Sequence, residues 1–164
     1  MGLDMYFYAR KKTYKSFSKW DEPDSTNEVN YPKDLKIFSD YIYDRNFKSV
    51  QTETRYQIGY FRKFNALHSY IVKTFANGVD DCQDIILYKE DVEKIKKVLD
   101  DVLNAHQQVE KAKELLPTQS GFFFGGTDYD EYYFEDVKVA ADLMQSFLDN
   151  FDFDKYQLIY EASW

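Results

Sequence analysis

A chain of 164 residues, 44% apolar, 30% charged and 19% aromatic, with a formal net charge of -8 at pH 7, has the length of one domain and enough buriable surface for a single core. Fourteen Phe, fifteen Tyr and two Trp set against six Gly and three Pro exclude a disordered, collagenous or low-complexity chain. One cysteine, Cys82, excludes an internal disulfide and points to a reducing, cytoplasmic setting, while the short Asp4-bearing start and the lack of any apolar run of about 18 residues argue against a signal peptide or membrane span.

Alternation over Leu3–Ala9 predicts a first strand, with Arg10-Lys11-Lys12 either continuing it or opening a turn. Trp20–Tyr31, which gathers Pro, Asp, Ser, Thr and Asn, reads as a surface loop. Pro32 suits the first turn of a short helix to Asp44 on the spacing of Leu35, Phe38, Tyr41 and Ile42, although Ile37, Tyr41 and Tyr43 also fit a strand. Ser49–Ile58 alternates two sets of side chains, Val50, Thr52, Thr54, Tyr56 and Ile58 on one parity, and is the clearest strand. Phe61, Phe64, Leu67, His68, Ile71, Val72 and Phe75 recur at helical spacing, and Asn77-Gly78 stops a helix predicted over Phe61–Ala76. A polar turn over Asp80–Asp84 leads to a buried strand, Ile85–Tyr88. A second helix opens at Glu90 on Val92, Ile95, Leu99 and Val102, and either breaks near Asn104 or extends toward Pro117.

Thr118–Thr127 is predicted to be a loop or hairpin arm whose three successive Phe plug the core. Asp128 or Asp130 caps a last helix with Phe134, Val137, Ala141, Met144, Phe147, Leu148 and Phe151 inward, and Tyr156–Tyr160 is a final strand. Strands separated by helices without a repeat predict an α+β fold. The expectation is a single two-layer domain over residues 1–164, a small mixed or antiparallel sheet packed on three to four helices.

The charge is unevenly spread. Met1–Val79 carries 13 basic against 9 acidic residues, whereas Asp80–Trp164 carries 8 against 20, and the span Asp128–Asp154 has nine acids and one base, Lys138. Acidity of this kind argues against direct nucleic-acid binding, which needs a concentrated positive surface, and suits a basic groove on another protein.

GLDMYFYAR at the start, GYFRKFNALH over Gly59–His68, the dipeptide Asp81-Cys82 and LPTQSGFFFGGTDYDEYYFED over Leu116–Asp136 together resemble a family of small bacteriophage and prophage proteins whose activities are largely uncharacterised. The resemblance implies a mobile-element setting in the bacterial cytoplasm and carries over no catalytic role. Small acidic phage proteins without enzyme motifs include inhibitors of host defence such as anti-CRISPR proteins, an association of class alone.

Two constellations carry candidate chemistry. The first is the acidic, tyrosine-rich run Asp128, Tyr129, Asp130, Glu131, Tyr132, Glu135 and Asp136, extended by Asp142 and Asp149. Its carboxylates can stand in for phosphates in the cationic channel of a partner such as a CRISPR effector nuclease; the bland alternative is a solvated helix whose first-turn acids complement the helix dipole. The second is Tyr60, Arg62, Lys63, Asn65, His68, Asp81 and Cys82, a pocket for a small molecule or nucleotide if the Gly78 turn folds the chain back over the helix. The bland alternative there is outward cations and a core histidine. His68 and Cys82, completed by Asp81 or His106, offer a weak zinc set without metal-ligand spacing, so no cofactor is expected. A Cys82 nucleophile is disfavoured by Asp80, Asp81 and Asp84 around its thiolate. The glycines of Gly121–Gly126 lack phosphate-loop spacing and a lysine, and no catalytic residue stands out. The leading expectation is a non-enzymatic inhibitor acting on a host complex; a ligand-binding pocket protein is the alternative, and a virion assembly protein the third, marked by self-association.

Overall fold

The structure is a computed structural model that describes residues 2–18, 47–105 and 108–164; the expected loop Trp20–Tyr31, the expected Pro32–Asp44 helix and His106 lie outside them. Eight elements follow in order: β1 (Asp4–Ser18), β2 (Phe47–Arg62), α1 (Asn65–Phe75), β3 (Ile85–Leu87), α2 (Lys89–Asn104), α3 (Val109–Leu115), α4 (Glu131–Asn150) and β4 (Gln157–Ser163). The chain divides into two compact units, Met1–Arg10 with Arg55–Trp164, and Lys11–Thr54. In the second unit the Thr13 and Thr52 hydroxyls meet at 2.7 Å and Lys12 lies 3.5 Å from Glu53.

The first unit is an α+β arrangement around one antiparallel sheet of order β2-β1-β4-β3. Alternation decides its faces. Met5, Phe7 and Ala9 lie opposite Ala162, Tyr160 and Leu158, and Ile85 and Leu87 continue the same rows on β3. These side chains merge with Leu67 and Ile71 of α1, Val92, Ile95 and Leu99 of α2, and Met144 and Phe147 of α4 into one buried core. Gly59 marks where α4 crosses β2, because a Cβ there would sit 2.8 Å from Leu143 and 3.1 Å from Phe7. Among the described residues no helix is long and apolar enough to cross a membrane.

Several element boundaries differ from those expected. The first helix begins at Asn65, not Phe61, because Phe61 reaches the core from the end of β2, where either period buries it. The turn between them is made by Lys63, whose φ of 63° reverses the chain, while its N–H donates to the Leu3 carbonyl at 2.8 Å. The basic Arg10-Lys11-Lys12 continues β1 instead of turning, and α2 breaks after Asn104 as one reading of its sequence had it. The three phenylalanines do not all plug the core. Phe124 is buried and Phe123 half-buried, but Phe122 is 96% exposed, since a tight turn from the Gly121 carbonyl to the Phe124 N–H cannot aim three consecutive rings one way.

On the face away from the helices Arg10 is buried and satisfied: Nη1 donates to Asp84 at 2.7 Å and Nε to Gln157 at 3.2 Å. Arg55 reaches Asp84 at 2.6 Å and Glu161 at 3.0 Å. Asp84→Ala would leave the buried Arg10 guanidinium short of its carboxylate, an expected cost of about 2 kcal/mol by urea denaturation. Asp84→Asn should recover part of it by keeping an acceptor.

Candidate functional site

The Lys63 reversal hands the chain to Asn65, the residue on which the neighbouring loop is built. Asn65 is buried at the start of α1; its Nδ2 donates to the carbonyls of Phe124 (3.0 Å) and Gly126 (2.8 Å), and its Oδ1 accepts from the Gln119 N–H (2.8 Å). Three bonds from one side chain therefore fix the loop that precedes α4. Gly125, at φ 87°, passes so close to Lys63 that a Cβ there would lie 3.0 Å from the Lys63 Cβ. Only glycine suits both demands.

The loop ends at Asp130, which caps α4 by accepting the Tyr133 N–H at 3.1 Å. Tyr129 and Tyr133 rings pack 4.9 Å apart. The Tyr133 hydroxyl donates to the Leu116 carbonyl at 2.8 Å, and that of Tyr129 accepts the Thr118 N–H at 3.0 Å. Burial pushes the Tyr133 phenol far above its ordinary pKa, so it remains a neutral donor.

Between these segments opens a cleft of about 280 Å³ lined by Arg62, Lys63 and Asn65 from the β2–α1 junction and by Asp128, Asp130, Tyr132 and Asp136 from the entry to α4. Residues from the two expected constellations thus share one site. Tyr132 is 77% exposed, and Thr118 and Gly126 also line the cleft.

The rest of the expected pocket lies elsewhere. His68 is 1% exposed; its Nδ1 meets the Tyr160 hydroxyl at 2.7 Å, its Nε2 meets Asp80 at 2.9 Å, and its ring contacts Phe124 and Trp164. It is a satisfied core residue, and with both nitrogens engaged it is not held ready for a metal. Among the described residues no three acidic, histidine or cysteine side chains are grouped to hold one. The Asn77-Gly78 reversal, at φ 53° and 75°, brings Asp80 and not Asp81 to His68; Asp81 is exposed and its N–H donates to the Gln83 side chain. Cys82 is exposed at φ 61°. Tyr60 lies against Tyr6 and donates to Asp4 at 2.5 Å, outside the cleft.

Ion pairing separates the helices. On α2 and α3, Asp91, Asp100, Asp101, Glu110 and Glu114 each pair with a lysine one turn away. Among the described residues Asp128, Asp130, Glu131, Glu135, Asp136, Asp142 and Asp149 have no ion pair; Asp130 serves as the cap, and Asp149 accepts from Gln145. The consequence appears in two carboxyl groups: Lys111 holds Glu114 below its usual range, whereas burial, then Glu135 and Asp130, hold Asp136 above it.

A carboxyl whose pKa is raised by folding binds its proton more tightly in the folded chain, so its ionisation costs stability above the folded pKa, and the cost disappears as pH falls through that value. Asp136→Asn is therefore expected to raise Tm at neutral pH, with the advantage fading on acidification toward the ordinary 3.8. A Tm below that of the native chain at neutral pH would contradict this origin of the shift.

No family model, curated protein or solved structure matches the chain. Neither expected constellation includes Thr118 or Gly126, the latter weighed only in a phosphate-loop reading, and Phe122 is exposed where a core plug is expected. The signal for the first two was the placement of LPTQSGFFFGG before the acidic helix, which gives the cleft its floor only once Asn65 has tied it down.

Proposed function

We propose that this chain is a non-enzymatic, phage-encoded interaction protein that seats the acidic entry of α4 in a basic groove of a host protein. The partner class is a nucleic-acid-processing defence complex, such as a CRISPR effector nuclease, inhibited in the bacterial cytoplasm. The observation that supports this is that, among the described residues, none of the acids of α4 has an ion pair, whereas three of the five acids on α2 and both acids on α3 pair with a lysine one turn away. Uncompensated carboxylates keep their field for a partner, speed association and make it sensitive to salt. The exposed rings of Tyr132 and Phe122 add contact area of the kind that anchors interfaces.

The test replaces Asp130→Asn, Glu131→Gln, Glu135→Gln and Asp136→Asn together. Asn at 130 keeps the helix cap, so the fold is retained while four charges go. Capture of a host protein and inhibition of its activity should both be lost, and capture by the native chain should fall steeply between low and high salt. Undiminished inhibition by the four-fold variant would overturn the acidic-face reading. The 280 Å³ cleft favours a second reading, a small-ligand-binding protein that uses Arg62 and Lys63 together with the acids lining the same cleft, Asn65 holding the loop beside them.

A further inference from the structure

We infer that the cleft takes a small zwitterion, with its ammonium or guanidinium end at Asp128 and Asp136 and its carboxylate or phosphate end at Arg62 and Lys63, an inference that rests on the small-ligand reading above. The lining carries both signs of charge. Among the described residues Lys63 has no ion pair, Arg62 has only Asp4 at 3.7 Å, and Asp128 and Asp136 have none. Opposite charges that line one cleft without pairing leave a gap that a molecule carrying both charges in complementary order would fill.

Simpler ligands fit worse. A bare anion attracted by Arg62 and Lys63 meets three carboxylates, a bare cation attracted by the acids meets two cations, and a neutral molecule leaves every charge unmatched on burial. The volume is about 280 Å³, at the foot of the roughly 300–1,000 Å³ range of small-molecule sites, which suits an amino-acid-sized ligand and not a dinucleotide. Tyr132 and Tyr133 line the same space, and the exposed Tyr132 ring is within reach of a cation held there.

The cationic wall is set before any ligand arrives. The Lys63 stem lies against the Gly125 backbone, and its left-handed φ of 63° is held by the N–H bond to Leu3. Asn65 fixes Gly126 on the other side at 2.8 Å. A preformed wall spares the ordering cost of binding. On the acidic wall, the Asp136 carboxyl is half-buried beside Glu135 and Asp130, and a bound cation would relieve that repulsion.

The test titrates the full chain calorimetrically with L-arginine, L-lysine and phosphoethanolamine, and compares L-arginine with agmatine, which lacks the carboxylate, and L-citrulline, which lacks the charge on its side chain. At least one of the three zwitterions should bind. For L-arginine, both analogues should bind about tenfold more weakly or less. Lys63→Gln should weaken L-arginine while leaving agmatine no weaker than before, and Asp136→Asn should weaken L-arginine and agmatine but not citrulline, the pattern of a contact made at each end. Asp136→Asn also removes a strained charge, so its loss of binding cannot be put down to misfolding. Binding unaffected by both substitutions would overturn the inference, as would agmatine equal to arginine. A response to nucleoside phosphates with none to any zwitterion would keep the pocket and overturn the zwitterion; no response to any of these would overturn both. Neither result touches the capture experiment with the four-fold acidic variant, which reads a macromolecular partner.

Discussion

Asn65→Ala is expected to destabilise the chain by about 2–4 kcal/mol and to abolish whatever the cleft binds. The substitution leaves the Phe124 and Gly126 carbonyls and the Gln119 N–H without their partner at a site where Asn65 itself is buried. Each group stranded away from water costs about 1–3 kcal/mol, reduced where solvent can reach the exposed Gly126 side of the loop. No helix or strand bond is lost, so the cost reports on the loop alone. Asn65→Asp is the discriminating control. It retains the acceptor for Gln119 but turns a carboxylate oxygen toward two carbonyls, and it should be at least as damaging as Ala despite its near-identical shape. Urea denaturation of the three chains decides the matter; a loss below about 0.5 kcal/mol for Asn65→Ala would show that the loop is held by its rings instead.

Phe7→Ala is expected to cost about 3–5 kcal/mol, the largest single effect on the sheet. Its ring lies 5.2 Å from Tyr160, 5.7 Å from Phe147 and 6.3 Å from Phe61, so one side chain joins β1 to β4, α4 and β2. The bare Gly59 beside it leaves the room that the ring fills, and no neighbouring Cβ is there to close the hole. Phe7→Leu should cost less, about 1–2 kcal/mol, because most of the volume remains. If Phe7→Ala lost no more than Phe7→Leu, the core around Gly59 would have to collapse freely, against the close approach of Leu143 there.

Much of this was legible in the amino-acid order. The apolar spacing of Val92, Ile95 and Leu99 and of Phe134, Val137 and Met144 identified two helices and their inner faces, because a 3.6-residue stripe has one way to be buried. Short alternating runs marked strands but left a mixed or an antiparallel sheet open, and the register of β4 with β1 and β3 makes it antiparallel. What alternation does not carry is which side is inside: Tyr56 and Ile58 share a parity, yet Tyr56 is exposed and Ile58 packs against the core, and Gly59 and Phe61 meet it as well, since a glycine's missing side chain reads as a gap in the pattern when it is the contact itself. The end of β2 is hidden in the sequence for a related reason. Phe61 and Phe64 are three apart in a helix count and also lie on either side of the Lys63 reversal, and only a positive φ at a lysine, with no glycine to announce it, separates the two.

The site was half legible. Residue types marked Arg62, Lys63 and Asn65 on one side and Asp128–Asp136 on the other, but joining them required the tertiary bonds of Asn65. The same ignorance of long-range contacts assigned His68 to the pocket. Helical spacing put it on the apolar stripe, and there the buried Tyr160 hydroxyl and Asp80 satisfy it.

The position of β4 has a consequence for how the chain acquires its shape. The last strand in sequence is an interior strand of the sheet, flanked by β1 from the start of the chain and by β3. Until residues 157–163 are available, Phe7 has no Tyr160 to stack on, and β1 and β3 have no common partner. The pairing of Asp4 with Ser163 joins residues about 160 apart in sequence. Such distant pairing is paid in chain entropy before it is rewarded, which slows folding relative to a local topology. Helices α2 and α4 pack against one another without needing β4, so a growing chain that has not yet added residues 157–163 would carry an apolar helix layer without the strand that joins β1 to β3.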